Sequence, residues 1–153
     1  MLARITVPLL AAAVLIFACG PRSQTKSAVA ARPALLADSA VVADVRVDAP
    51  PGARTVRFAL SVVNGTGKRM ELTFPSGQTH DFVVLDATGR EVWRWSDGRL
   101  FTQLAKHRLL EARDVVTYDE RWPAPPSAGR YTLVALLRSD NHPIEKRVPF
   151  AVQ

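Results

Sequence analysis

The sequence predicts an all-β protein, an antiparallel β-sandwich of about eight strands that follows a signal peptide and a flexible linker. Apolar and polar residues alternate over short segments, which is typical of strands with one buried face. Clusters of glycine, proline, asparagine and serine separate these segments at regular intervals. No segment carries a long helical period. Short, evenly spaced strands of this kind favour a Greek-key or immunoglobulin-like sandwich over a barrel.

The predicted strands follow one another through most of the chain. They are residues 41–47, 55–63, 69–74, 81–85, 91–96, 111–122, 131–137 and 144–152. The clearest is 55–63, where four large apolar residues alternate with smaller or polar ones. Tyr131 follows a glycine turn, which resembles the tyrosine corner of sandwich folds. Pro149 predicts that the last strand lies at a sheet edge, because proline cannot donate to a central ladder.

The segment after the fifth strand is the hardest to assign. Phe101, Leu104 and Ala105 are spaced for a single helical turn. Leu109 and Leu110 are placed to begin the next strand.

Length and composition are those of one globular domain with additional segments. The chain has 153 residues, of which 48% are hydrophobic, enough for a packed core. Its 20 lysines and arginines exceed its 14 acidic residues, which gives a formal net charge of +6. The basic residues are scattered and accompany no nucleic-acid-binding motif. This favours a soluble basic surface over attraction to an anionic membrane or to nucleic acid.

The N-terminus carries a targeting signal. A short basic start, residues 1–4, precedes the apolar stretch 5–17, which is too short to span a bilayer comfortably as a helix. Small Ala18 and then Cys19, the only cysteine, come directly after it. This arrangement resembles the lipobox of bacterial lipoproteins, and the resemblance implies cleavage before Cys19 and lipidation of its thiol. The alternatives are an ordinary signal peptide and a cytoplasmic protein with an unusual start.

These features predict three parts of the chain: a lipoprotein signal peptide at 1–18, a flexible tether at 19–37 and the β-sandwich domain at 38–153. Two or three acyl chains hold a protein stably on a membrane. We therefore expect the chain at the bacterial cell envelope, lipid-anchored through Cys19 and facing the periplasm or the exterior. With Cys19 lipidated the domain has no disulfide, so its hydrophobic core must hold it together.

The rest of the chain is organised around a predicted hairpin between the fourth and fifth strands. Gly89 supplies the left-handed residue of a three-residue loop. The predicted cross-strand pairs are Asp86 with Arg90, Leu85 with Glu91, Val84 with Val92, Val83 with Trp93, and Phe82 with Arg94. Trp93 and Trp95 then lie on the face of Val83, because cross-strand partners share a face. A one-residue slip would exchange the two faces.

A motif in and around this hairpin is similar to that of a known family. It reads Gln78-x-x-Asp81-Phe82-x-Val84, then Gly89-x-x-Val92-Trp93-x-Trp95-Ser96, then Phe101-x-Gln103. The motif resembles that of the BsuPI family of bacterial proteinase inhibitors, and the similarity covers residues 54–153. The resemblance implies an antiparallel β-sandwich that binds and inhibits a serine protease without catalysis, and the family's name implies a protease of the cytoplasm.

No arrangement of catalytic or metal-binding residues stands out. His80, His107 and His142 are not at ligand spacing, and the chain has no Cys-x-x-Cys pair. Ser76 lacks the glycine pattern of a nucleophile elbow, and His80 and Asp81, as neighbours in a strand, point to opposite faces. We expect an exposed turn and strand start there, with Asp81 accepting backbone or Ser/Thr hydrogen bonds. The sequence therefore predicts a protein that is not an enzyme and has no metal and no cofactor.

Trp93, Trp95 and Arg99 are the candidate partner-binding residues. Two tryptophans on one strand face are able to anchor an interface. Packing in the core is the favoured interpretation, because a domain without disulfides needs large apolar side chains. Arg99, in the loop 96–100, suits the pocket of a trypsin-like protease, and the loop 122–126 is stiffened by prolines. An ordinary connection is the favoured interpretation of each loop.

Two functions follow from the sequence. The leading hypothesis is a proteinase inhibitor-like domain that binds a serine protease at the cell envelope. The alternative is an envelope protein–protein interaction or adaptor module with no inhibitory activity. A protein at the envelope would not meet a cytoplasmic protease, so an inhibitor there needs a different target. Nucleic acid is not an expected partner.

Overall fold

The computed structural model describes residues 40–123 and 127–153, and this part of the chain forms nine β-strands and no helix. The strands are β1 (Val41–Asp48), β2 (Thr55–Asn64), β3 (Met70–Phe74), β4 (His80–Leu85), β5 (Glu91–Arg94), β6 (Lys106–Leu110), β7 (Val115–Pro123), β8 (Gly129–Leu137) and β9 (Ile144–Val152). All the strand pairs among them are antiparallel. The predicted all-β antiparallel sandwich is confirmed, with one strand more than expected.

The strands form three hydrogen-bonded sheets. One sheet has the order β1-β2-β7, a second has the order β5-β4-β8-β9, and the pair β3-β6 forms the third. β9 is an edge of the four-stranded sheet, which confirms the position that Pro149 predicts. The immunoglobulin-like topology stays a prediction.

The core is built from the inward faces of the two larger sheets together with β3 and β6. Its members in β2 and β8 are Val56, Phe58, Leu60, Val62, Tyr131, Leu133, Ala135 and Leu137. The ring of Phe58 lies 5.9 Å from that of Phe82 in β4 and 5.8 Å from that of Phe150 in β9. Burial of each large apolar side chain contributes about 1.5–3 kcal/mol. Apolar packing therefore joins the two larger sheets.

The helical turn predicted around Leu104 is wrong. No helix forms there; residues 103–104 make a bend before β6, which pairs with β3 from Phe74–Lys106 to Met70–Leu110. Leu104 is 77% exposed, so an apolar helical face would have nothing to pack against. Leu110 ends a strand rather than beginning one. Pairing with β3 satisfies the backbone and overrides a weak local helical spacing.

The predicted hairpin register is correct at its tip and wrong beyond it. The N–H of Asp86 donates to the Arg90 carbonyl at 2.9 Å, and Leu85 pairs with Glu91, as predicted. A bulge beside Leu85 then shifts the register, so that Val84 pairs with Trp93 and Val83 with Arg94. The two tryptophans share a face, as expected, but it is the core face of Val84 and Phe82 rather than that of Val83.

The predicted tyrosine corner is present. The hydroxyl of Tyr131 donates to the carbonyl of Ser127 at 2.8 Å, four residues upstream. The Tyr131 ring meets the buried Trp122 edge to face at 5.2 Å. This bond fixes the entry of β8 into the core.

Several predictions fall outside the described residues. They are the signal peptide at 1–18, the lipidation site Cys19, the tether at 19–37 and residues 124–126 of the proline-rich loop. A helix of sufficient length and apolarity to span a bilayer is not found in the part of the chain that the structure describes.

Candidate functional site

Asp81 organises the start of the hairpin. Its side chain is 0% exposed, and its Oδ1 accepts the N–H groups of Phe82 at 2.9 Å and Ser96 at 3.2 Å. Its Oδ2 accepts the Ser96 hydroxyl at 2.8 Å and Arg94 Nη1 at 2.9 Å. The predicted backbone and serine hydrogen bonds are therefore found. The predicted exposure is wrong, because both Asp81 and its neighbour His80 are buried.

Arg94 connects this buried carboxylate to the surface. Its Nη2 donates to Glu91 Oε2 at 2.7 Å while Nη1 holds Asp81. Hydrogen bonding to Glu91, and then to Asp81, raises the pKa of Arg94 above its ordinary value. The buried negative charge is thus paired in an Asp81–Arg94–Glu91 chain that fixes the end of β5.

The segment that follows β5, residues 96–102, is fixed at both ends and is called here the 96–102 loop. Its first end is Ser96, bound to Asp81, and the Arg99 N–H closes a turn onto the Ser96 carbonyl at 3.1 Å. Gly98 has a φ of 69°, a left-handed conformation that favours glycine. At the second end, the Gly77 N–H donates to the Thr102 carbonyl at 2.8 Å. The loop is therefore presented as a fixed shape.

Leu100 is the side chain that this loop offers to solvent. It is 100% exposed, which is unusual for a large apolar residue in a loop with two fixed ends. Arg99 instead folds back: its Nε donates to the Trp95 carbonyl at 2.8 Å, and its guanidinium carbon lies 4.5 Å from the Trp95 ring centroid. This cation–π contact helps to hold the loop against the domain.

The two candidate tryptophans pack against the core. Trp95 is 8% exposed and Trp93 is half-buried, with the Trp93 ring 5.9 Å from Phe58 and 6.4 Å from Trp122. This agrees with the core interpretation. Of the three candidate residues, Arg99 touches Trp95 directly, whereas Trp93 packs against Phe58 and Trp122. Partner binding by any of the three stays a prediction.

An aromatic stack continues inward from Trp95. The His80 ring lies 4.2 Å from Trp95 and 4.5 Å from Tyr118, nearly parallel to both. Its Nε2 lies 3.3 Å from Glu120 Oε1, and its Nδ1 lies 3.2 Å from the Thr79 hydroxyl. Sequence reasoning missed this role. The available signal was that His80 falls on the same face of β4 as two buried residues of that strand.

The polar side chains of this region are engaged in hydrogen bonds. The nitrogens of His80 are engaged by Glu120 and Thr79, while Ser76 accepts the N–H of Gln78 at 3.2 Å, so no histidine–serine pair forms. Within residues 40–123 and 127–153, no three His, Cys, Asp or Glu side chains gather as metal ligands would.

Acidification is expected to destabilise the domain through His80. Burial lowers the pKa of His80 below its ordinary value of 6.5, with Arg99 acting in the same direction and the Glu120 and Asp81 carboxylates opposing it. The folded state therefore holds the proton less tightly than the unfolded state. The contribution of neutral His80 is fully present above pH 6.5 and is lost as the pH falls through the folded-state pKa.

The measurement is the free energy of unfolding in urea from about pH 8 to about pH 5. The wild type and a His107→Gln control should both lose stability over this range, whereas His80→Gln should show a flatter profile. Tyr118, whose pKa burial raises, stays neutral throughout. An identical slope in His80→Gln and the wild type would contradict this prediction.

The described residues form a β-sandwich with an exposed loop that is held at both ends. The chain belongs to the BsuPI family, described as intracellular proteinase inhibitor, which matches residues 42–142. It is thus a member of a family of inhibitors rather than of enzymes.

Comparison with other known proteins adds little beyond the family. No curated protein matches the chain. Among solved structures, the C-terminal domain of wzt is 11% identical, with a TM-score of 0.46 over 76% of this chain and 75% of that chain. Spo0M, a sporulation control protein from Bacillus subtilis, is 12% identical, with a TM-score of 0.42 over 75% of this chain and 49% of that chain. At these TM-scores the likeness supports no conclusion about function.

Proposed function

We propose that the chain is a proteinase inhibitor-like domain that binds a serine protease without catalysis. The observation that carries this proposal is the fully exposed Leu100 on a loop held at both ends, by Asp81 and by Gly77. A segment that is already ordered loses little conformational entropy when it binds. Membership of the inhibitor family supports the same function.

In this proposal Leu100 enters the specificity pocket of the protease. Arg99 keeps its bond to the Trp95 carbonyl and its place over the indole ring. The sequence offers Arg99 as a candidate for a trypsin-like pocket, with an ordinary connection as the favoured interpretation of the loop. Arg99 would have to give up both contacts to extend, whereas Leu100 is free to enter an apolar pocket as it stands.

The proposed location is the bacterial cell envelope, with a lipid on Cys19. The family's description names intracellular inhibitors, whereas residues 1–19 resemble a lipoprotein signal ending in a lipidated cysteine. We infer that this chain carries the family's fold to the envelope. Its target is then a protease that works there.

The function is tested by titrating the chain without residues 1–19 against subtilisin-like, chymotrypsin-like and trypsin-like serine proteases. Residual activity is followed with a small substrate, and the domain is checked for cleavage. Stoichiometric loss of activity, strongest for the enzymes with apolar pockets, is expected. Full activity of the whole panel at large excess of the chain would overturn the proposal.

Replacing Leu100 with aspartate is expected to weaken inhibition by about tenfold or more, the effect of losing an interface anchor residue. Aspartate would remove the apolar contact with the protease. The fold should be unaffected, because Leu100 is fully exposed. The inhibition constant is measured for this variant and for the matched Leu104→Asp, whose leucine lies outside the 96–102 loop. Equal inhibition constants for the two variants would exclude Leu100 as the contact.

An adaptor without inhibitory activity is the second candidate. The observation that favours it is β6, which among the described residues pairs on one edge only and carries the exposed Leu109, with exposed Leu104 just before it. A free strand edge beside apolar side chains suits the addition of a partner's strand. If no protease of the panel is inhibited, the Leu109→Asp variant should fail to bind the envelope protein that the wild-type chain binds.

A further inference from the structure

Three arginines gather at one end of the β1-β2-β7 sheet, away from the 96–102 loop. Arg54 precedes β2, Arg57 lies in β2 and Arg121 lies in β7. All three line one concavity of about 500 Å³. A neighbouring concavity of about 530 Å³ shares Arg57 and Arg121 with it.

Two of these arginines lie side by side with like charge. Arg57 and Arg121 are direct cross-strand partners in the β2–β7 ladder, on the exposed face of the sheet. Like charges directly opposite each other in a sheet are destabilising. Replacing Arg121 is therefore expected to relieve this repulsion.

The described residues offset this charge only in part. No carboxylate of the described chain lies within 4.0 Å of Arg54, Arg57 or Arg121. By contrast, Arg94 and Arg147 each have a close carboxylate partner. Asp48, the β1 neighbour of Arg57, lines the same concavity and leaves it with three positive charges against one negative.

We propose that this concavity is a binding site for a phosphate group. The guanidinium group matches a phosphate bidentately, which makes arginine the preferred residue for phosphate recognition. A phosphate monoester carries a charge of about −1.5 to −2 at neutral pH and a phospholipid diester about −1, so either complements the excess positive charge of the site. The volume is within the range of small-ligand sites. The phosphate belongs to a soluble phosphate compound or to a phospholipid head group.

The site is tested on the chain without residues 1–19, so that no lipid anchor contributes to binding. Thermal unfolding is followed in inorganic phosphate and in chloride at equal ionic strength. Sedimentation with vesicles of phosphatidylglycerol, and of phosphatidylcholine as the neutral reference, tests the lipid source. The variants are Arg57→Gln and Arg121→Gln, with Arg147→Gln in β9 as the control of equal charge change.

The wild type and Arg147→Gln should have a higher Tm in phosphate than in chloride, or should sediment with phosphatidylglycerol vesicles. Arg57→Gln and Arg121→Gln should weaken that binding by about tenfold or more, as expected for loss of a charge-assisted hydrogen bond. In chloride, Arg121→Gln should be at least as stable as the wild type, since the like-charge contact is removed.

The two arms distinguish the source of the phosphate. A phosphate-dependent Tm that needs Arg57 and Arg121 identifies a soluble phosphate compound, and vesicle binding with the same dependence identifies a phospholipid. Equal responses of all three variants in both arms would show general charge screening only and would overturn the site. Destabilisation of Arg121→Gln in chloride would contradict the like-charge repulsion on which the inference rests.

Discussion

Replacing Asp81 with alanine is expected to lower the free energy of unfolding by about 3–5 kcal/mol, the range for removing one partner of a buried ion pair. The carboxylate is 0% exposed and accepts four hydrogen bonds, from two backbone N–H groups, the Ser96 hydroxyl and Arg94. Its loss leaves those buried donors without their acceptor, while Arg94 keeps Glu91 as its partner. The beginning of the 96–102 loop would lose its attachment.

Urea unfolding of three variants separates these contributions. Asp81→Asn keeps an acceptor for the Phe82 and Ser96 N–H groups but loses the negative charge opposite Arg94, so it should fall between Asp81→Ala and the wild type. Asp44→Asn is the control, because Asp44 is exposed and makes one long contact with Arg46 at 3.4 Å. The control should change stability by about 0.5 kcal/mol or less. A loss in Asp81→Ala no larger than that in Asp44→Asn would show that Asp81 does not organise the hairpin.

The fold was predictable because its elements repeat a simple pattern. β2 shows its buried face directly in the spacing of Val56, Phe58, Leu60 and Val62. The Tyr131 corner followed from a glycine turn before an alternating strand. Asp81 was expected to accept backbone and serine hydrogen bonds, and it does. The first two depend on neighbours in the sequence, whereas the Asp81 bonds to Ser96 join residues 15 positions apart.

The register of the hairpin could not be predicted in the same way. Val92 and Trp93 are both apolar, so the sequence does not show which of them pairs with Val84. The bulge beside Leu85 decides it by placing both tryptophans toward the core. His80 was missed for a related reason, since a histidine at a strand start is usually exposed. Its burial depends on Trp95 and Tyr118, which are distant in sequence.

Sequence patterns also do not distinguish Arg99 from Leu100 as the residue that contacts a protease. Both residues are in the same loop, and an exposed arginine there suits a trypsin-like pocket. The Trp95 carbonyl and ring hold Arg99 back, while nothing in the described chain covers Leu100. The difference comes from a side-chain conformation that only the folded loop defines.

Trp95→Ala is expected to cost about 3–5 kcal/mol, the usual loss for removing a large buried aromatic side chain. The indole is 8% exposed and contacts the rings of His80 at 4.2 Å and Phe101 at 5.6 Å. Trp95→Phe should cost less than half as much. It keeps a ring for the stack and removes Nε1, a buried donor with no hydrogen-bond partner among the described residues.

The same pair of variants links the core to the 96–102 loop. Alanine removes the surface on which the Arg99 guanidinium rests, whereas phenylalanine keeps an aromatic face there. If the proposed inhibition depends on a preordered loop, Trp95→Ala should weaken inhibition even at temperatures where the variant remains folded, because binding must then order the loop. Trp95→Phe should inhibit nearly as well as the wild type. Equal inhibition by folded Trp95→Ala would mean that the loop binds without support from the stack, and the role assigned to Trp95 would then be limited to stability.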